Sequence, residues 1–145
     1  MRLDLYQQET ERLARDLLAM LDEVRQRLRN QQALSALEQA GVLHALQVLT
    51  ENAIGKAKLS IKARGLAVPV SGYDAFAQLH RDHLINDQAM REWTAAIGLR
   101  NRIVHDYLNV DMAVIETLIK EQKYLLQVQF LLSPMANVDS GSSPK

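Results

Sequence analysis

The sequence predicts an all-α fold, a single-domain up-and-down bundle of about five helices. Three observations point there. Apolar residues recur at steps of three and four along most of the chain. The 6 glycines and 3 prolines fall largely between these periodic segments. No stretch alternates apolar and polar residues as a half-buried strand does, and no internal repeat is present. At 145 residues the chain is the size of one domain.

Residues 3–29 read as the first helix, with Leu13, Leu17, Leu21, Val24 and Leu28 on one stripe. Glu9, Glu11, Asp16, Asp22 and Glu23 alternate with Arg12, Arg15 and Arg25, the pattern of a solvated face with i,i+4 pairs. After Asn30-Gln31-Gln32, Ser35 stands three residues before Glu38, a capping-box spacing that opens a second helix running to about Arg64. Val42, Leu46, Leu49, Ala53, Ala57 and Ile61 form its apolar face. Gly41 and Gly55 lie inside it, each costing up to about 1 kcal/mol relative to Ala, which a bend at the first or close packing at the second would explain.

Gly65 reads as a helix stop, and Leu66 to Gly72, with Pro69, as the longest interior loop. Ser71 and Asp74 repeat the capping spacing, and Tyr73, Phe76 and Leu79 begin a short third helix. Asn86 caps a fourth helix to about Val104. Asp111 caps a fifth, with Val110 and Ile115 spaced as a hydrophobic staple and Ile115, Leu118, Ile119, Leu125 and Leu126 as its apolar face. Ser133-Pro134 ends it, giving a helical domain over 1–132 and a polar tail, expected to be disordered, over 133–145.

Composition narrows the function. The 17 basic and 17 acidic residues cancel, which excludes coating nucleic acid by bulk charge and leaves room for a local patch. A hydrophobic content of 48% excludes a disordered or fibrous chain. With no cysteine there is no disulfide, no thiolate catalysis and no cysteine zinc site. No secretory leader pattern opens the chain and no run of about 18 apolar residues occurs, so the expected location is the cytoplasm.

The chemistry concentrates in Gly98-Leu99-Arg100-Asn101-Arg102-Ile103-Val104-His105-Asp106-Tyr107. Met90, Trp93, Ile97, Arg100 and Val104 follow one another at steps of three and four, which puts Arg100 in an apolar row that Tyr107 joins if the helix continues. A fixed charge there is costly unless it is paired or faces a ligand. Asn101 and His105, four apart, share the neighbouring face. Arginine binds phosphate oxygens bidentately and stabilises developing negative charge, and histidine moves protons near neutral pH. Together they suit phosphodiester cleavage through the RNA 2′-oxygen, which needs no metal. The structural alternative is that Arg100 pairs with Asp106 or a glutamate on another helix while His105 favours the helix C-terminus.

Arg100, four residues, His105, one residue and Tyr107 match the R-x4-H-x-Y motif of HEPN domains. From about residue 3 to 132 the chain resembles HepT-like toxins in particular, including the Gly-Leu-x-x-Pro loop at 65–69 and the Leu-Arg-Asn-x-x-x-His-Asp-Tyr run at 99–107. The resemblance implies a metal-independent ribonuclease toxin without a cofactor, working as a homodimer whose two motif segments form one composite cleft. It implies that Arg100 stabilises the scissile phosphate, His105 is the acid–base residue and Asn101 helps orient the histidine or the phosphate. It further implies a minimal nucleotidyltransferase antitoxin as partner, which transfers AMP to Tyr107.

Other features carry less. Lys56, Lys58, Lys62 and Arg64 form a local basic run that can contact RNA or merely complement the helix dipole. His80 and His83, with Asp87 nearby, lack a third well-placed ligand, so no metal is expected. His44 reads as a partly buried structural histidine and Trp93 as core or a dimer seam. Two other functions remain open. One is a non-catalytic HEPN-like helper that binds nucleotide or substrate for a nucleotidyltransferase. The other is a structural dimerisation bundle, in which Arg100 is an accident of the core stripe.

Overall fold

The computed structural model describes residues 2–135. Among them all regular structure is helical: α1 (Leu3–Arg29), α2 (Ala36–Ala63), α3 (Gly72–Arg81), α4 (Asp87–His105), a 3-10 turn (Tyr107–Asn109), α5 (Met112–Lys120) and α6 (Leu125–Leu132). The four capping signals all operate. Ser35 Oγ accepts from Glu38 N–H in a full capping box, Ser71 from Asp74, Asn86 from Ala89 and Asp111 from Ala113.

Helix α2 is the central element. It packs on α1, α3, α4 and α6, while α1 also packs on α5 and α6. Its predicted stripe of Val42, Leu46, Leu49, Ala53, Ala57 and Ile61 is buried throughout. An aromatic group closes the core: Trp93 stacks on Phe76 with ring centroids 4.0 Å apart, and Phe130 meets its ring edge-on at 5.2 Å. Trp93 is therefore a core residue of the protomer, 1% exposed.

The expected fifth helix is two helices. The chain turns at Glu121–Tyr124, so that α6 reverses onto α1 and α2 with Tyr124 buried and its hydroxyl donating to Asp22 at 2.6 Å. Burial and the Asp22 carboxylate raise the Tyr124 phenol above its ordinary range. This stop lacks a glycine. Gln122 takes φ +58°, and its N–H and that of Lys123 bond back to the carbonyls of Ile119 and Leu118, the paired closure of a Schellman cap. Gln31 and His83 do the same at the ends of α1 and α3, and Gly65 alone supplies the preferred residue.

The acidic–basic face of α1 pairs at the expected i,i+4 spacing in Glu11–Arg15 and at i,i+3 in Glu9–Arg12. Asp22 and Arg25 depart from it by tying α1 to Tyr124 and to the Lys120 carbonyl. Gly41 and Gly55 meet no close neighbour where a Cβ would stand, so packing gives no reason for either. The expected tail begins anchored, since Ser133 Oγ donates to the Phe130 carbonyl; residues 136–145 lie outside the described ones. Among the described residues no helix is long and apolar enough to cross a membrane.

Candidate active site

Helix α4 presents the motif. Met90, Trp93, Ile97 and Ile103 are its buried positions, so the core stripe passes Arg100 and resumes at Ile103, while Val104 is 40% exposed. Arg100 therefore sits at the stripe's edge, with its side chain 28% exposed. The helix ends at His105 because Asp106 adopts φ −147°, and Tyr107 opens the 3-10 turn instead of continuing the row. Asn109 closes that turn by donating its backbone N–H and its side-chain amide to Asp106.

The charge of Arg100 is answered by Glu51 of α2. Arg100 Nε donates to Glu51 Oε2 at 2.9 Å, and Nη2 lies 2.9 Å from the same oxygen. Nη1 donates to Asn101 Oδ1 at 3.1 Å. Gln47 Nε2 donates to Glu51 at 3.0 Å and steadies the carboxylate. With Nε and Nη1 donating and Nη2 in ion-pair contact, at least one N–H on each terminal nitrogen is left without a partner among the described residues, and can meet a phosphate. Asn101 thus holds Arg100, a contact different from the orienting of the histidine or the phosphate that the resemblance implies. Asn101 and His105 are exposed and one helical turn apart, and Tyr107 is 50% exposed. Neither the His105 nor the Tyr107 side chain hydrogen-bonds another described residue, so both face outward.

Glu51 was not singled out from the sequence. Its signal is that a cation in an apolar row requires a carboxylate, and α2 carries only two acids, Glu38 and Glu51, of which Glu38 belongs to the helix cap.

A cleft of about 560 Å³ opens beside Arg100 between α2, α4 and the start of α3. Glu51, Lys58, Ser71, Tyr73, Arg100 and Asn101 supply its polar lining. Gly72 forms part of the wall, where a Cβ would stand 2.6 Å from Ile54 Cδ1, so glycine lets α3 start this close to α2.

The four cations of the basic run separate. Lys56 is 3% exposed and donates to the carbonyls of Phe130, Leu131 and Ser133, so it is a structural clamp on α6 and not a surface cation. Burial pulls its ammonium down to about 8, opposed by Glu11. Arg64 pairs with Asp82 at 2.8 Å. Hydrogen bonds from Gln78, then Arg64, hold the Asp82 carboxyl below its ordinary range. Lys58 lines the cleft and donates to the Val70 carbonyl, and Lys62 is exposed one turn further along α2.

His44 is exposed, correcting the expectation of partial burial, because it lies between Leu43 and Ala45 but opposite the α2 stripe. His80 Nε2 contacts Asp87 at 2.7 Å, a bond that lowers the Asp87 carboxyl pKa, and His83 occupies the left-handed position of the α3 cap. Among the described residues no group of three or more His, Asp or Glu is placed to hold a metal ion.

The profile of the family described as "Ribonuclease HepT-like" matches residues 14–129. A solved structure described as "Crystal structure of the toxin-antitoxin with AMP-PNP" shares the fold, with a TM-score of 0.62 at 19% identity over 82% of this chain and 97% of that one. No curated protein matches.

Proposed function

The chain belongs to the HepT-like ribonuclease family, and from that premise we propose that it is the toxin of a toxin–antitoxin pair, a metal-independent ribonuclease whose catalytic residues are Arg100 and His105. The observation that carries this reading is the Arg100 guanidinium. Glu51 and Asn101 hold it in place, yet it keeps a free N–H on each terminal nitrogen beside an open cleft. A purely structural ion pair gives no reason for Asn101 and His105 to stand exposed on the same edge, or for the cleft.

In the proposed reaction the RNA 2′-oxygen attacks the adjacent phosphorus as its proton passes to a base. The O2′–P bond forms, the P–O5′ bond breaks and the 5′-oxygen takes up a proton. Arg100 neutralises the charge gathering on the non-bridging oxygens, and His105 moves a proton. Each chain carries one such histidine, so a homodimer that brings two motif segments together supplies a base and an acid. Exposed Val104 and Leu108, at and beside the motif, are apolar surface suited to that pairing. Lys58 and Lys62 are the members of the basic run positioned to meet RNA.

Tyr107 is the proposed acceptor of AMP from a minimal nucleotidyltransferase antitoxin. Its phenolic oxygen bonds the α-phosphorus of ATP, pyrophosphate leaves and the phenol loses its proton. Half-exposure in a short turn just past the motif makes the hydroxyl reachable. The added nucleotide places bulk and a negative charge near Arg100, where an RNA phosphate has to bind. The proposed location is the cytoplasm.

The test is RNA cleavage by the purified protein in EDTA beside the His105→Ala variant, with intact mass to establish that Tyr107 is unmodified. Cleavage by the parent alone, leaving 2′,3′-cyclic phosphate and 5′-hydroxyl ends, is expected. An unmodified parent that cuts no RNA overturns the proposal.

A further inference from the structure

The geometry points to the cleft beside Arg100 as a single-nucleotide subsite: an unpaired nucleotide adjoining the scissile phosphate stacks its base on Tyr73 and places its outer phosphate on Lys58. This rests on the ribonuclease reading and extends it from the reacting phosphate to the neighbouring residue of the RNA.

Two stripes frame the cleft. On α2, Glu51, Ile54, Gly55 and Lys58 follow at steps of three, one and three, and Lys62 continues the line toward solvent. On α4, Ile97, Arg100 and Asn101 face them. His105 lies one turn beyond Asn101 on the same side of α4. A phosphate held by the free N–H groups of Arg100 lies at the edge of the cleft, on the helix that carries His105.

The volume of about 560 Å³ falls within the range of small-ligand sites. The lining sets one flat aromatic ring and cationic and amide groups among the apolar side chains of Ile54, Val70 and Ile97, which suits an unpaired nucleotide with its base on the ring and its phosphate on the cations. Tyr73, 48% exposed, stands at the start of α3 with its ring accessible. Lys58 spends one of its three N–H groups on the Val70 carbonyl and keeps two. Among the described residues Glu51 is the only acid lining the cleft, and Arg100 offsets it, so Lys58 leaves a net positive charge there.

The experiment uses a fluorescein-labelled ten-nucleotide 2′-O-methyl RNA, whose blocked 2′-oxygens separate binding from cleavage, read by anisotropy on the full chain. Tyr73→Ala is expected to weaken binding about five- to hundredfold, and Tyr73→Phe to stay within about twofold of the parent. Lys58→Ala is expected to lower the slope of log K against log salt by about 0.7, the share of one single-strand phosphate, and Lys58→Arg to restore it while preserving the bond to Val70. Circular dichroism establishes that the variants fold. Tyr73→Ala binding within twofold of the parent, or a salt slope unchanged in Lys58→Ala, overturns the subsite, as does a parent that fails to bind the probe. A parent that binds with these variant effects yet cuts no unmodified RNA overturns the ribonuclease reading and leaves the subsite standing.

Discussion

Glu51→Gln separates what the Arg100–Glu51 pair does for folding from what it does for the reaction. The pair is partly exposed, with side chains 28% and 35% accessible, so its loss costs at most about 1 kcal/mol, a few degrees in Tm for a chain this size. Gln keeps an oxygen that accepts from Arg100 Nε but removes the charge. A phosphate on the free edge of the guanidinium lies roughly 7 Å from the Glu51 carboxylate, where repulsion at an effective dielectric of about 40–80 is about 0.6–1.2 kcal/mol. The variant should therefore bind the 2′-O-methyl RNA about three- to sevenfold more tightly. Its kcat should fall about ten- to hundredfold, because a guanidinium held only by neutral bonds, to the new amide and to Asn101, is less firmly aimed at the phosphate. Binding and turnover then move in opposite directions. Assays are anisotropy for binding and a fluorogenic RNA in EDTA for turnover. Weaker binding together with a Tm loss of ten degrees or more would show that Glu51 is structural, and a kcat within twofold of the parent would refute the positioning argument.

Gln122→Gly removes a left-handed strain from the cap between α5 and α6, and after the entropy cost of glycine should stabilise by about 0.5–1 kcal/mol, read as a raised urea midpoint. Lys56→Met leaves three carbonyls at the end of α6 without their donor and should cost about 2–4 kcal/mol in urea unfolding. Burial holds the native Lys56 ammonium at about 8, below its ordinary 10.5, so between these values the unfolded chain binds more protons there and this group makes stability rise with pH. The parent's midpoint should accordingly gain on that of Lys56→Met from pH 8 to 10, by an amount on the order of 1–3 kcal/mol, and a flat difference refutes the assignment. Tyr107→Phe should cut RNA within about threefold of the parent yet gain no AMP mass when co-expressed with the antitoxin, and modification of the variant at another residue would refute Tyr107 as the acceptor.

The starts of the helices were legible because they are written locally: Ser35, Ser71, Asn86 and Asp111 each accept from a backbone N–H two or three residues on. The stops were less so, since three of the four left-handed caps use Gln31, His83 and Gln122 where the local rule asks for glycine, and the break before α6 went unseen for that reason. The site divides in the same way. Arg100, Asn101, His105 and Tyr107 are neighbours in sequence, whereas Glu51 and Tyr73 reach the cleft only through the packing of α2 and α3 around α4. Lys56 gives the sharper lesson, because it too stands on a buried stripe, between Ala53 and Ala57, and the argument that drew attention to Arg100 applied to it equally. What distinguishes them is how far their partners use up their donors. The three N–H groups of Lys56 meet three carbonyls, which closes it as a structural clamp. Arg100 has five and engages at most three, so the residue with unspent hydrogen-bonding capacity beside an open cleft is the one that can bind an anion. A cation in an apolar row thus marks either a clamp or a site, and the donor count decides which.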